Sequence, residues 1–401
     1  LKKKKPVQEN SAIIKELDKT RQYTLSGYIK DAESGDPLIG AIVLLRNGSL
    51  TRATSANAYG FYSITVPPGQ YKLRYSMLGY RKNNKTLLLY KDMRKSVSLS
   101  MNLKQLEIVL VTDDDLSLLG KNHPLRSQRI SNAEIQNTPV AGGVGDAVKS
   151  LESVAGVNFF GEASVLFNVR GGSKGQNAVY IDEAPVYNPS HLLGFYSAIA
   201  PDAVNSLRLY KNNFPVQYGG RLSSLTDIRT KNGNMKKIGF SGSISPVVSS
   251  LTLDGPVKKE QSSFFTSFRT SHLDYLYKAN NPNLSIGFYD FHAKYNHKFS
   301  RKNRFYAAVY AGSDELKFDN SALSWKNTTL TLRWNHLFSD KLFLNTTLYG
   351  GSYKYFLYFS YSDNIYWTSV INRFSLKQDF SYYPDDKHRL YFGWESSIRT
   401  F

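Results

Sequence analysis

Residues 329–338 read Thr-Leu-Thr-Leu-Arg-Trp-Asn-His-Leu-Phe, and their alternation decides the fold class. Successive side chains of an extended chain point to opposite faces. Leu330, Leu332, Trp334, His336 and Phe338 therefore share one face, and Thr329, Thr331, Arg333 and Asn335 the other. The pattern recurs upstream, where Phe291, Ala293 and Tyr295 oppose Asp290, His292, Lys294 and Asn296. It recurs again in 389–399, where Leu390, Phe392 and Trp394 oppose Glu395, Ser397 and Arg399. A soluble sandwich with one wet face would need one very large shared core to accommodate so many strands. Segments of ~10 residues, apolar on one side and charged on the other, are what a membrane-spanning barrel requires: lipid outside, polar lumen inside. From Lys237 onward the chain is strand after strand, roughly eight or nine by this criterion.

Composition agrees. Aromatic residues make up 14% of the 401, with 28 Tyr and 23 Phe, while only 41% are hydrophobic. Such a bias suits aromatic girdles around a polar lumen better than the aliphatic core of a soluble enzyme. No run approaches the ~18 apolar residues of a transmembrane helix, so a membrane crossing must be made by a closed barrel that satisfies its own backbone. Leu1 to Lys5 are basic with no apolar stretch after them, so no signal peptide is expected here. The absence of cysteine excludes thiolate metal sites, a thiol nucleophile and disulfides. The net charge of +19 is scattered among Tyr/Ser/Asn-rich strands rather than gathered in a stripe, which argues against nucleic acid as a partner.

Upstream of the barrel strands lie four further regions. Residues 1–21 are polar and basic, a linker or processed segment with a short helical possibility at Ala12 to Leu17. Residues 22–103 carry short strands separated by turn signals, as in Tyr23–Ile29, Ala41–Leu45, Phe61–Val66 and Tyr71–Tyr75, and read as a β-sandwich. Residues 104–129 are a connector holding Leu106-Glu107-Ile108-Val109-Leu110-Val111-Thr112, a β-branched stretch ended by three aspartates. Such a stretch can pair edge-on with another chain, or can be the last strand of the sandwich. Residues 130–233 mix short helices, expected at Ala133–Gln136, 146–151 and 200–206, with short strands and glycine-rich turns, an α+β domain.

Two resemblances sharpen this reading. Gly27, Asp31, Pro37-Leu38, Gly40-Ala41, Asn57, Gly60-Phe61-Tyr62, Pro67-Pro68-Gly69 and Leu78-Gly79-Tyr80 resemble the carboxypeptidase-regulatory-like domain, an immunoglobulin-like module without catalytic residues. Ala155-Gly156-Val157, Asn168-Val169-Arg170-Gly171-Gly172, Tyr180-Ile181-Asp182 with Pro185-Val186, the 203–211 segment and Tyr218-Gly219-Gly220 resemble the plug of TonB-dependent outer-membrane receptors. Glu183 departs from that pattern, which usually has Gly after the Asp. The resemblance implies a mainly β chain with a sandwich, a plug and an antiparallel transmembrane barrel in 234–401. A plug-bearing barrel closes with about 22 strands, so this barrel is expected to be incomplete.

The resemblance also implies function. Active import across a Gram-negative outer membrane is expected, with the sandwich in the periplasm and the 106–112 segment acting as a TonB box for the TonB-ExbB-ExbD complex. Arg170, on a turn formed with Asn168, Gly171 and Gly172, is the candidate latch, because a guanidinium can pair bidentately with a barrel carboxylate. Asp182, Gly219 and Gly220 complete the turn positions. His191, Phe195 and Tyr196 lie in a loop that could face substrate. Other expected partners are outer-membrane lipids, an unknown small ligand, oligosaccharide or peptide, and a surface lipoprotein or another outer-membrane subunit. The alternative is a non-transporting accessory or scaffold subunit of an assembly or secretion complex. With no His-x-x-Glu pair, nucleophile motif or acid/base cluster, no enzyme activity, metal or cofactor is expected.

Overall fold

The computed structural model describes residues 20–48, 50–102, 127–138, 145–161, 163–211, 214–278, 281–360, 364–385 and 387–401. The helical possibility at Ala12–Leu17 and the Leu106–Thr112 segment lie outside the described residues. The chain divides into two compact units. One holds the N-terminal region with residues 336–344 and 380–392, and the other holds 126–335, 345–379 and 393–401.

In the first unit, β1 (Tyr23–Asp31), β4 (Phe61–Val66), β7 (Met93–Arg94) and β8 (Val97–Leu99) form one sheet. The other contains β2 (Ile42–Asn47), β3 (Leu50–Ser55), β5 (Gly69–Ser76) and β6 (Asn83–Leu89), in the order β3-β2-β5-β6. The period-2 pattern places Leu25 and Ile29 of β1 in one core with Val43 and Leu45 of β2 and Tyr71, Leu73 and Tyr75 of β5. Each such side chain contributes about 1.5–3 kcal/mol by leaving water. Gly27 is required here by space: a Cβ would lie 2.3 Å from the Lys95 carbonyl oxygen. The segment 336–344 belongs to the same unit through Asp340, which accepts from Arg94 at 2.6 Å and from the Ser26 hydroxyl at 2.6 Å. Phe61 stacks on Phe343 with ring centres 5.5 Å apart.

The second unit contains an α+β domain and most of a large sheet. Strands β9 (Ser127–Ser131), β12 (Asn177–Ile181), β13 (Ala184–Pro185), β16 (Val204–Lys211) and β17 (Ser224–Thr230) make a five-stranded sheet ordered β13-β12-β17-β16-β9. Two small hairpins flank it: β10 (Val157–Phe159) with β11 (Phe167–Val169), and β14 (Ser190–His191) with β15 (Tyr196–Ser197). Helix α1 spans Asn132–Gln136. The other two expected helices are single 3-10 turns, Lys149–Ser153 and Pro201–Ala203. The first is set up by Asp146, whose carboxylate accepts from the amides of Val148 and Lys149. The second is cut short because β-branched Val204 already begins β16.

Among the described residues, nine antiparallel strands follow in simple up-and-down order. They are β18 (Gly239–Ile244), β19 (Val248–Lys258), β20 (Ser262–Ser271), β21 (Leu284–Lys298), β22 (Asn303–Phe318), β23 (Ser321–Leu337), β24 (Leu342–Ser360), β25 (Asn364–Tyr382) and β26 (Leu390–Thr400). A short helix, α2 (Leu273–Lys278), sits between β20 and β21. The sheet is open among the described residues, with β18 and β26 at its edges. Its burial is inverted relative to a soluble sheet. Thr329, Thr331, Arg333 and Asn335 of β23 are buried, whereas Leu330 and Trp334 are 47% and 42% exposed. On β21, Asp290, His292, Lys294 and Asn296 are buried while Phe291 is exposed.

Candidate functional site

The polar face of the large sheet is covered by the α+β domain, and two sets of buried charges join them. The first centres on Asp182 and Glu183, in the turn between β12 and β13. The β12 strand ends when the Asp182 amide donates to the Ile228 carbonyl, and both residues then adopt left-handed φ angles of 47° and 76°. The Lys294 ammonium of β21 bonds Asp182 at 2.7 Å, and the Thr230 hydroxyl also donates to it. Glu183 accepts from Arg229 at 2.7 Å within the domain, and from Arg333 at 3.4 Å and the Thr347 hydroxyl on the sheet. Burial opposes ionisation of Glu183, but Arg229 and Arg333 outweigh it and hold the carboxyl well below its usual range. For Asp182, burial is likewise overcome, here by Lys294. Breaking a buried pair of this kind costs about 3–5 kcal/mol, because the remaining charge is stranded. That exceeds the ~1–2 kcal/mol strain of a left-handed non-glycine residue.

The second set holds the loop carrying β14 and β15. His191 is 2% exposed, with Nε2 at 2.6 Å from Asp290 of β21 and Nδ1 at 2.5 Å from Asp314 of β22. Burial opposes ionisation of Asp314, but with ionised carboxylates at both nitrogens, both nitrogens donate and the ring is an imidazolium. Burial alone would discharge it, but Asp290 and Asp314 together push its pKa up to about 9. Arg269 of β20 balances the second carboxylate, bonding Asp290 at 2.5 Å and donating to the Ser197 carbonyl. The imidazolium also stacks on Phe288 at 4.4 Å. The clamp holds strained backbone in place: Leu192 and Leu193, directly after His191, sit at φ 49° and 60°. Strain of this sort persists only where neighbouring contacts over-determine it, and here the Leu192 amide donates to Asp314 at 2.8 Å.

Beside this loop is a cavity of about 410 Å³ with an almost wholly apolar lining. Leu193 and Phe195 come from the loop, Leu273 and Tyr277 from α2, and Ile286 and Trp325 from the sheet. It lies on the same face as the buried charges, and its size suits part of a small ligand.

Comparison with known families and structures bears directly on this arrangement. The family model described as CarboxypepD_reg-like domain matches residues 25–111, and the one described as TonB-dependent Receptor Plug Domain matches residues 121–224. The chain carries the plug domain of TonB-dependent receptors behind a carboxypeptidase-regulatory-like domain. A search of curated proteins found no match. Among solved structures, a mutant of the ferric enterobactin receptor of Pseudomonas aeruginosa is similar with TM-score 0.52 and 11% identity, covering 69% of this chain and 49% of that one. The outer-membrane transporter YddB of Escherichia coli is similar with TM-score 0.53 and 12% identity, covering 68% and 48%. The copper transporter OprC gives 0.52 and 13%, covering 68% and 46%. At these identities the likeness is one of fold, and the chain spans about half the length of these structures.

Within the plug, the residues singled out from sequence fall into separate places. Asn168 lies in β11, Arg170 is exposed with φ 49°, and Gly171 is left-handed at φ 78°. Gly172 is needed for close approach, since a Cβ would lie 2.4 Å from the Ser223 hydroxyl. Gly220 is left-handed, and the Gly219 carbonyl accepts from Tyr180 at 3.4 Å. Only Asp182 of that group belongs to the ionic contact with the sheet. His191 and Tyr196 are buried, Tyr196 in the lining of the cavity, while Phe195 is exposed there. Glu183, Arg229, Lys294 and Arg333 were not singled out. The departure from Gly at 183 was the available signal, and the buried charge of Glu183 is its physical explanation.

Proposed function

We propose that the protein imports a ligand across the outer membrane of a Gram-negative bacterium, energised by a TonB complex acting on Leu106–Thr112. The observation that carries this reading is a plug-like domain tied to the polar face of a sheet with an apolar outer face by buried ion pairs. In this reading the polar face is lumenal, the loop at 190–197 is the plug's outward apex, and the sandwich is periplasmic. Ligand docks at the cavity, where Phe195 and Leu193 meet it. An apolar lining favours a ligand with an aliphatic or aromatic surface over a bare metal ion. Arg170, exposed on its glycine-flanked turn, is proposed to pair with a barrel carboxylate of the full-length protein.

The test is uptake by cells whose full-length protein lacks residues 106–112. Loss of uptake of one nutrient with the barrel still assembled supports energised import. Unchanged uptake of every candidate, with failure of surface assembly or secretion when the whole protein is deleted, would replace it with the scaffold reading.

A further inference from the structure

The charge of +19 is explained by neither the plug contacts nor the cavity. Part of it is concentrated at one end of the sheet. The Glu260 amide donates to the Met235 carbonyl at 3.0 Å and the Lys298 amide to the Gln261 carbonyl at 2.8 Å, which brings three turns side by side. The first presents Lys236 and Lys237, the second Lys258 and Lys259, and the third Lys298, Arg301 and Lys302. All are exposed except half-buried Lys298. Within residues 236–237, 257–261 and 298–303 seven side chains are basic and one, Glu260, is acidic. The nearby Asp254 carboxylate is engaged by the Asn234 amide at 2.7 Å. At the opposite end of the same strands, residues 272–286 and 313–320 carry four acids and two lysines, and both lysines are ion-paired, Lys278 with Asp274 and Lys317 with Glu315.

The third of these turns lies directly against an exposed aromatic residue of the apolar face. Phe299 and Trp334 are stacked with ring centres 5.6 Å apart, and the Trp334 indole donates to Asn303 at 3.2 Å. An indole with its apolar body outward and its N–H bonded toward the turn is the arrangement found at a membrane–water interface. The 190–197 loop, outward on the proposed reading, is clamped to Asp290 and Asp314 and shares its cavity with α2 toward the opposite end of these strands. On that reading the basic turns lie on the periplasmic side.

We propose that these turns form a cationic collar that binds anionic phospholipid headgroups of the inner leaflet of the outer membrane. Ammonium and guanidinium groups just beyond an aromatic girdle stand at headgroup depth. Each basic side chain near an anionic surface raises its affinity about fivefold. The inference rests on the barrel reading above, since it needs the apolar face in lipid.

Full-length protein in nanodiscs containing both phosphatidylethanolamine and phosphatidylglycerol would be released and analysed by native mass spectrometry for retained lipid. Wild type is expected to retain phosphatidylglycerol preferentially. The Lys258→Gln/Lys259→Gln/Arg301→Gln/Lys302→Gln variant should lose that preference by about tenfold or more. The charge-keeping Lys258→Arg/Lys259→Arg variant and the opposite-end Lys278→Gln/Lys317→Gln variant should keep it. An inserted wild type without preference, or a glutamine variant that retains it, would overturn the collar. Insertion is read separately, from the heat-modifiable gel mobility of the same samples. A protein that never inserts defeats the barrel reading, whereas one that inserts and binds both lipids equally defeats the collar alone.

Discussion

The sandwich and the nine-stranded sheet are written in the same alternating code but bury opposite letters. In β5, Tyr71, Leu73 and Tyr75 are buried and Gln70 and Lys72 face out. In β23, Thr331, Arg333 and Asn335 are buried while Leu330 and Trp334 face out. Alternation thus fixes that a strand has two faces, and the surroundings decide which one is inside. For the sandwich the surroundings are water and a second apolar sheet. For the large sheet they are, on the proposed reading, lipid on one side and a polar plug on the other, so cohesion passes from apolar burial to paired charge.

The largest effect is expected where the buried letter is a charge. Glu183→Ala leaves Arg229 and Arg333 facing a void, and the plug's resistance to unfolding, followed by amide exchange in the full-length protein, should fall by about 3–5 kcal/mol. Leu73→Ala in the sandwich opens a cavity in an apolar core and should cost about 2–5 kcal/mol in denaturant titration. Leu330→Arg inverts the comparison. It puts a charge on the apolar face of the sheet and should cost up to about 2–4 kcal/mol in a bilayer, depending on depth. An unchanged barrel stability would mean that this face does not meet lipid.

The smallest expected effect is pH-dependent. The folded pKa of His191 is raised from 6.5 to about 9. Its stabilisation is therefore complete below 6.5 and is lost as the pH rises through about 9. Amide exchange at 190–197, corrected for its intrinsic pH dependence, should accelerate over that window in wild type. In His191→Asn it should be fast at neutral pH and show no such window.

Much of this architecture is legible in the sequence because it is local. The barrel strands announce themselves by period 2, and the plug by glycine turns in a fixed order. Of the α+β domain's three expected helices, the one at Ala133–Gln136 forms as α1, whereas the other two are 3-10 turns of five and three residues, each followed by extended valine. The charge contacts were not legible, because a partner distant in sequence is chosen by strand register. Lys294 is inward on β21 only because Asp290 and His292 are, and nothing near Asp182 names it. His191 illustrates the same limit. A lone loop histidine beside aromatics gives no sign of two carboxylates more than ninety residues away.

The account turns on whether the plug is held to the inner face by specific charge pairs. A double-mutant cycle on Asp182 and Lys294, whose charged atoms are 2.7 Å apart, tests this most directly. Plug unfolding would be measured by amide exchange in full-length Asp182→Asn, Lys294→Met and double-variant protein. A coupling of about 1.5 kcal/mol or more is expected for a close buried pair. Effects that add to within about 0.5 kcal/mol would contradict the account.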